Sequence, residues 1–176
     1  MPSLRASVEG RLPSRPSGLQ GASAAEVLAE VRAQLKRFRE IMGRDPTHLD
    51  SHHNVHCLPH VLDAVVTVAW ETGRPVRAAA PPVAERLRRE DIRTTDRFVE
   101  DFYDRGDPLS ALIRILDEIA PGTSELMCHP AVVDEELRAS SSYAEPRAAE
   151  LDALTSREVR QCVQASGIRL IHFGQL

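Results

Sequence analysis

Pro46-Thr47-His48-Leu49-Asp50-Ser51-His52-His53-Asn54-Val55-His56 is the stretch on which the reading turns, because it holds four of the seven histidines within nine positions. Imidazole and carboxylate are standard ligands for zinc and related divalent ions, and burying four neutral imidazoles for packing alone would be costly. Two geometries are open. On a strand, alternate residues share a face, so His48, Asp50 and His52 point together. On a helix, His48, His52 and His56 form one stripe at i, i+4, i+8. Pro46 and β-branched Thr47, coming after a helix and a turn, favour the strand. Functional groups of parallel sheets gather at the carboxyl ends of strands, which places His52 to His56 at the active face. The plainer reading is a strand end where the histidines bond one another without a metal.

Outward from this stretch, the upstream pattern is helical. Ser23 with Glu26 three residues on is a capping-box pattern. Val27, Leu28, Val31, Leu35, Phe38 and Ile41 follow at helical spacing, and Gly43 ends the run. Residues 1–22, with three glycines and three prolines, are expected to be irregular, leaving 23–176 as the folded domain. Downstream, a helix is expected from Pro59 to Gly73 and a short strand over Pro75-Val76-Arg77-Ala78. A proline-containing, charge-rich connection with a helical turn at Arg86–Asp91 comes next. Thr95 or Asp96 is read as the cap of a helix through Phe98, Phe102 and Tyr103, and another helix spans Leu109 to Ala120. Glu125-Leu126-Met127-Cys128 reads as a strand ending at His129-Pro130, and residues 131–145 as a loop. Short helices start at Pro146 and after Thr155, the latter closed by Gly167, and Ile168 to Phe173 is a final apolar strand. Helices alternating with short apolar strands indicate parallel βαβ units and an α/β layered or barrel-like fold.

Composition narrows the function. The 176 residues carry a net charge of −4 and are 42% hydrophobic, ordinary for one globular domain. The acidic balance argues against a nucleic-acid partner, and no apolar run approaches the roughly 20 residues of a membrane span. Cys57, Cys128 and Cys162 are odd in number and form no CxxC pair, so a reducing cytoplasm is the natural compartment. Cys128 and His129 are adjacent, and neighbours on a strand point to opposite faces. Cys128 is therefore read as core rather than as half of a nucleophilic dyad, and His60 and His172 as structural.

Thr47 to His56 followed by Pro59 resembles the signature of the YdjC-like carbohydrate deacetylases, a family that includes chitooligosaccharide and hopanoid-associated deacetylases. Glu125 to Pro130, Ser142-Tyr143, Arg147, Glu150-Leu151 and Leu154 agree with it in order. So do Val76-Arg77, the Thr95-Asp96-Arg97-Phe98 stretch and the closing Gly167 to Ile171. The resemblance implies hydrolysis of the N-acetyl group of an amino sugar, as in chitooligosaccharides, on a distorted (β/α) barrel with a bound divalent metal, Mg2+ or Zn2+. It also implies that His52 inherits the role of a metal ligand. Two motifs that supply further ligands in the family, Asp-Asp and Gly-Leu-His, occur nowhere in the sequence. The expected fold is accordingly an incomplete parallel-strand barrel corresponding to the C-terminal two-thirds of such a deacetylase.

Roles follow from what amide hydrolysis needs: an activated water, a stabilised oxyanion and a proton for the leaving amine. His52 is the expected ligand, with His48 and His56 as further metal candidates and Asp50 or His48 orienting the ligand from behind. His129, at another strand end, is the candidate proton donor. Arg77 is the candidate for binding the sugar or the oxyanion, and Tyr143, Arg147 and Asp50 are further substrate-side candidates. The competing expectation is a catalytically inactive remnant with at most weak carbohydrate or metal binding. Open sheet edges in an incomplete barrel leave room for a homo-oligomer.

Overall fold

The computed structural model describes residues 12, 13, 16–102 and 106–176. These fall into two compact units, one made of residues up to Thr95 together with His172–Leu176, the other of Asp96–Ile171.

In the first unit, α1 (Ala24–Met42) follows Ser23 and ends at Gly43, whose φ of 63° lets its N–H turn back to the Arg39 carbonyl. Val27 and Leu35 are buried on its inner face. The second helix, α2 (Pro59–Thr72), starts on Pro59, whose missing N–H costs nothing in a first turn. Val61, Leu62, Ala64, Val65, Val66, Val68 and Ala69 are all buried, covering more than one face, as befits a helix enclosed by neighbours. A third, α3 (Pro81–Arg89), adds Val83, Ala84 and Leu87 to the same core. The expected helical turn at Arg86–Asp91 thus belongs to a helix that begins five residues earlier.

Leu49 and Val76 form a parallel bridge across this unit. The Leu49 N–H donates to the Pro75 carbonyl at 2.9 Å, and the Arg77 N–H to the Leu49 carbonyl at 3.1 Å. With α2 as the crossover, this is the parallel βαβ connection that the sequence pattern implied. The extended backbone is shorter than expected, however, and His52 lies outside it. His52–Cys57 form a 3-10 segment.

The second unit holds β1 (Arg97–Val99) and β2 (Ser124–Leu126), paired in parallel with Phe98 opposite Glu125. The helix expected over Phe98 and Phe102 is therefore corrected to a strand at Arg97–Val99, while Tyr103 lies outside the described residues. The cause is visible at Asp96. Its carboxylate accepts the Thr123 N–H at 2.7 Å and the Thr123 hydroxyl at 2.9 Å, so the side chain read as a helix cap is spent on the neighbouring strand. Gly122 is required there, since a Cβ would lie 2.7 Å from the Asp96 carboxylate and its φ is 113°.

Between the strands, α4 (Pro108–Asp117) is capped by the Asp107 carboxylate, which accepts the Ser110 N–H at 3.1 Å. Hydrogen bonds from Ser110, its side chain first and its backbone N–H second, hold the Asp107 pKa below the usual carboxylate value. Phe102, Ala111, Leu112, Leu116, Ala153 and Val159 make the core. The expected 131–145 loop contains a short helix, α5 (Glu135–Ser140), because the Asp134 carboxylate accepts the Leu137 N–H at 2.8 Å. Helices α6 (Glu145–Thr155) and α7 (Arg157–Ala165) complete the unit.

Ile168 to Phe173 is not a strand. The Ile168 N–H turns back to the Val163 carbonyl behind Gly167, Leu170 is left largely exposed, and Phe173 opens a 3-10 turn. An apolar run needs a neighbouring strand to become one, and among the described residues none pairs with it. The fold is mostly helical with a two-stranded parallel sheet not closed into a barrel, in keeping with an incomplete distorted (β/α) barrel. Among the described residues no helix is long and apolar enough to cross a membrane.

Candidate functional site

In the first unit the histidine segment is a kinked turn. His53 and Asn54 both adopt left-handed backbone, with φ of 54° and 51°. Such conformations are disfavoured for residues with a Cβ, although asparagine and, less readily, histidine adopt them more often than most. They end the extended run just after His52; before them His48 stacks on Phe173 and Asp50 pairs with Arg77, while His52 is exposed. The kink leaves His52 and His53 exposed, with ring centroids 4.0 Å apart.

His56 has the opposite environment. It is 1% exposed, and its Nε2 lies 3.1 Å from the Arg77 carbonyl, which can only accept. Nε2 therefore carries the proton, and Nδ1 accepts the Ser51 hydroxyl at 2.6 Å. The Ser51 oxygen in turn accepts the His56 backbone N–H at 3.0 Å. Both ring nitrogens are occupied, so in this arrangement His56 offers no lone pair to a metal. Burial, first of all, pushes its pKa below the ordinary histidine value.

His48 is half-buried, with Nδ1 3.0 Å from the Thr47 hydroxyl and its ring stacked on Phe173 at 4.1 Å and 7°. Burial lowers its pKa as well. Asp50 and Arg77 pair across the parallel bridge at 2.7 Å, with side chains 31% and 21% exposed. The Asp50 carboxylate also accepts the Ser51 N–H at 2.6 Å. One network thus runs from Asp50 through Arg77 and His56 to Ser51, and it anchors both ends of the turn that carries His52. His60 donates to the Leu19 carbonyl, and the His172 ring accepts the Gly174 N–H.

In the second unit, His129, Tyr143 and Arg147 come together around a fourth side chain, that of Glu150. Glu150, on α6, is 1% exposed. One of its oxygens accepts the His129 backbone N–H and the other accepts the Tyr143 hydroxyl at 2.6 Å. Arg147, one turn earlier on α6, donates to the His129 carbonyl at 3.2 Å, and its own carbonyl accepts the Ala131 N–H. The His129 and Tyr143 rings meet edge to face at 6.0 Å, with the Arg147 guanidinium 5.6 Å from the Tyr143 ring centre. The signal for Glu150 was its spacing: Arg147 and Glu150 are i, i+3 and share a helix face. Cys128 packs against the core of this unit.

The metal that the resemblance implies can be tested against these side chains. Among the described residues there is no group of three or more His, Cys, Asp or Glu side chains placed to hold a metal ion. The exposed His52 suits a single ligand, and the described residues do not complete a metal site by themselves.

Comparison with known proteins defines the family. The profile of the YdjC-like proteins matches residues 2–165. The chain is 35% identical over 168 residues to a carbohydrate deacetylase of Clostridium beijerinckii, covering 94% of this chain and 67% of that one. It is 37% identical to a carbohydrate deacetylase of Geobacillus stearothermophilus, with 93% and 65% covered. A chitooligosaccharide deacetylase of Salmonella paratyphi B is 38% identical, with 82% and 58% covered. A crystal structure from Enterococcus faecalis, described as a proposed cellobiose-phosphate cleavage protein, superposes with a TM-score of 0.87 at 31% identity. It covers 99% of this chain, which covers 69% of that one. The chain belongs to the YdjC-like family. It spans between 58% and 67% of the length of these curated relatives.

Proposed function

We propose that the chain carries part of the machinery of a hydrolase that removes N-acetyl groups from amino sugars or chitooligosaccharide-like substrates. The observation that carries this reading is the kinked turn. A strained backbone, anchored behind by His56, Ser51 and the Arg77 carbonyl, holds the His52 ring out into solvent in the segment that matches the family. His52 is the proposed ligand for a divalent ion, Mg2+ or Zn2+, and residues 23–176 the part of the deacetylase domain that bears it. His48 is at most an auxiliary ligand, through its second nitrogen.

His129 is the proposed donor of the proton that the departing amine takes up. A histidine suits this because an imidazole can both hold a proton and give it up. Arg77 and Asp50 already pair with each other, and substrate contacts through them use the remaining donors of the guanidinium. Tyr143 and Arg147 present an aromatic edge and a cation near His129, a surface suited to a sugar ring.

The second reading is a protein that binds carbohydrate or metal weakly without turnover. It is favoured by the lack, among the described residues, of three ligands in one place, since one imidazole holds a divalent ion loosely. Acetate release from N-acetylglucosamine oligomers with Mg2+ or Zn2+ separates the two. Turnover that falls at least a hundredfold in His52→Ala supports the hydrolase and the assigned ligand. Turnover unchanged by that substitution overturns the assignment, and no release by the wild-type chain selects the second reading.

A further inference from the structure

We infer that Glu150 is a positioning residue for His129, a single buried carboxylate that fastens both ends of the 131–142 segment and so fixes where the His129 ring points. The inference rests on the reading of His129 as proton donor only for its catalytic meaning, and the geometry stands apart from it. His129 and Tyr143 are fourteen residues apart in sequence, yet both donate to the two oxygens of one side chain. Between them run α5 and its flanking turns, largely exposed: Val132, for example, is 83% exposed. A segment with so little buried apolar surface is held by its ends.

The ends are held from one helix. On α6, Arg147 takes the His129 carbonyl while Glu150, one turn on, takes the His129 N–H. Donor and acceptor of the same residue are thus gripped from the same helix face, which leaves the His129 backbone little freedom to rotate. Hydrogen bonds to a carboxylate are short and about twice as strong as neutral ones, and here they are shielded from water. The edge-to-face contact with Tyr143 then limits the ring itself, and Tyr143 is set by the same carboxylate.

The chemistry of the two donors makes the inference testable. The His129 amide can only donate, whereas the Tyr143 hydroxyl can donate or accept. In Glu150→Gln the amide oxygen stays on the His129 N–H, and the amide NH2 donates to the Tyr143 oxygen. Glu150→Ala satisfies neither.

Hydrogen exchange and imidazole 15N shifts, read on the full chain, give the answer without any hydrolysis assay, so failure here and failure of the proposed activity are separate results. Glu150→Ala is expected to speed exchange at the His129 amide and through 131–142 at least tenfold. It should also change the His129 imidazole signals, while α4 amides such as Leu112 keep their protection. Glu150→Gln is expected to stay within threefold of wild type with the His129 signals retained, and Tyr143→Phe to loosen only the Tyr143 end. Should Glu150→Ala not fold, the Gln and Phe variants decide by the same limits. Unchanged His129 exchange and imidazole shifts in Glu150→Ala would overturn the inference, as would tenfold loosening of the His129 amide in Glu150→Gln.

Discussion

Each unit fastens its candidate residues with one buried polar side chain, and the two are equally hidden: His56 and Glu150 are both 1% exposed. They work differently. His56 both donates and accepts, joining the Arg77 carbonyl to the Ser51 hydroxyl, and the turn that it closes contains two left-handed residues. Glu150 only accepts, and the segment that it closes begins and ends on ordinary backbone. A neutral, amphoteric pin suits a strained turn that must match one donor and one acceptor. A carboxylate suits two donors arriving from different parts of the chain. The comparison predicts that the His56 pin weakens as pH falls, because burial lowers its pKa.

The largest effect is expected at His56. In His56→Ala the Arg77 carbonyl loses its donor and a cavity opens in the core, together costing about 3 kcal/mol. Urea denaturation followed by the fluorescence of Trp70, which lies in the same unit, measures it. A loss below about 1 kcal/mol would show that the turn is held by something else. The pH dependence has a definite sign. Burial lowers the His56 pKa in the folded state, so below about 6.5 the unfolded chain binds the proton first. The stabilisation is complete above that value and is lost as pH falls through the interval down to the depressed folded value. His48, shifted in the same direction, adds to the slope. His56→Gln should therefore flatten stability between pH 7 and pH 5 relative to wild type, with His48 contributing to the slope that remains.

Sequence marks His56 as a ligand candidate and gives Glu150 no role, because it carries only local signals. Clustering of histidines announces chemistry, but whether a ring nitrogen is open depends on a carbonyl twenty-one residues away. Glu150 looks like any helix carboxylate until Tyr143 and His129 fold onto it. The helices at 24–42 and 59–72 were legible because their apolar spacing, prolines and terminal glycines are local signals. The Arg97–Val99 strand was not, because Asp96 reads as a cap unless Thr123 is known to stand beside it. The Ile168 to Phe173 run has strand composition, but pairing is a property of its neighbours.

A smaller effect is expected at the ion pair with which the first network begins. Asp50 and Arg77 are partly shielded and 2.7 Å apart, so a double-mutant cycle with Asp50→Asn and Arg77→Gln should return a coupling of about 1 kcal/mol. A coupling near zero would mean that the His52 turn is anchored through His56 and Ser51 alone, sharpening the contrast with the carboxylate-held segment.

The smallest effect bears on why the turn is strained at all. Glycine adopts left-handed backbone without the Cβ penalty, so His53→Gly should stabilise the first unit by about 0.5–1 kcal/mol, the gain being reduced by the greater freedom of the unfolded chain. Asn54→Gly should gain less, because asparagine's short polar side chain already eases the left-handed conformation. Denaturation midpoints measured side by side give both values. If His53→Gly is more stable yet binds Zn2+ more weakly by calorimetry, the strain serves to present His52, and the turn keeps a residue that costs stability because a relaxed one lets the ring wander. If stability and binding rise together, the left-handed pair follows only from closing the chain between Ser51 and His56, and the parallel with the Glu150-held segment becomes closer: in both units the buried pin sets the geometry, and the backbone between its partners accommodates it.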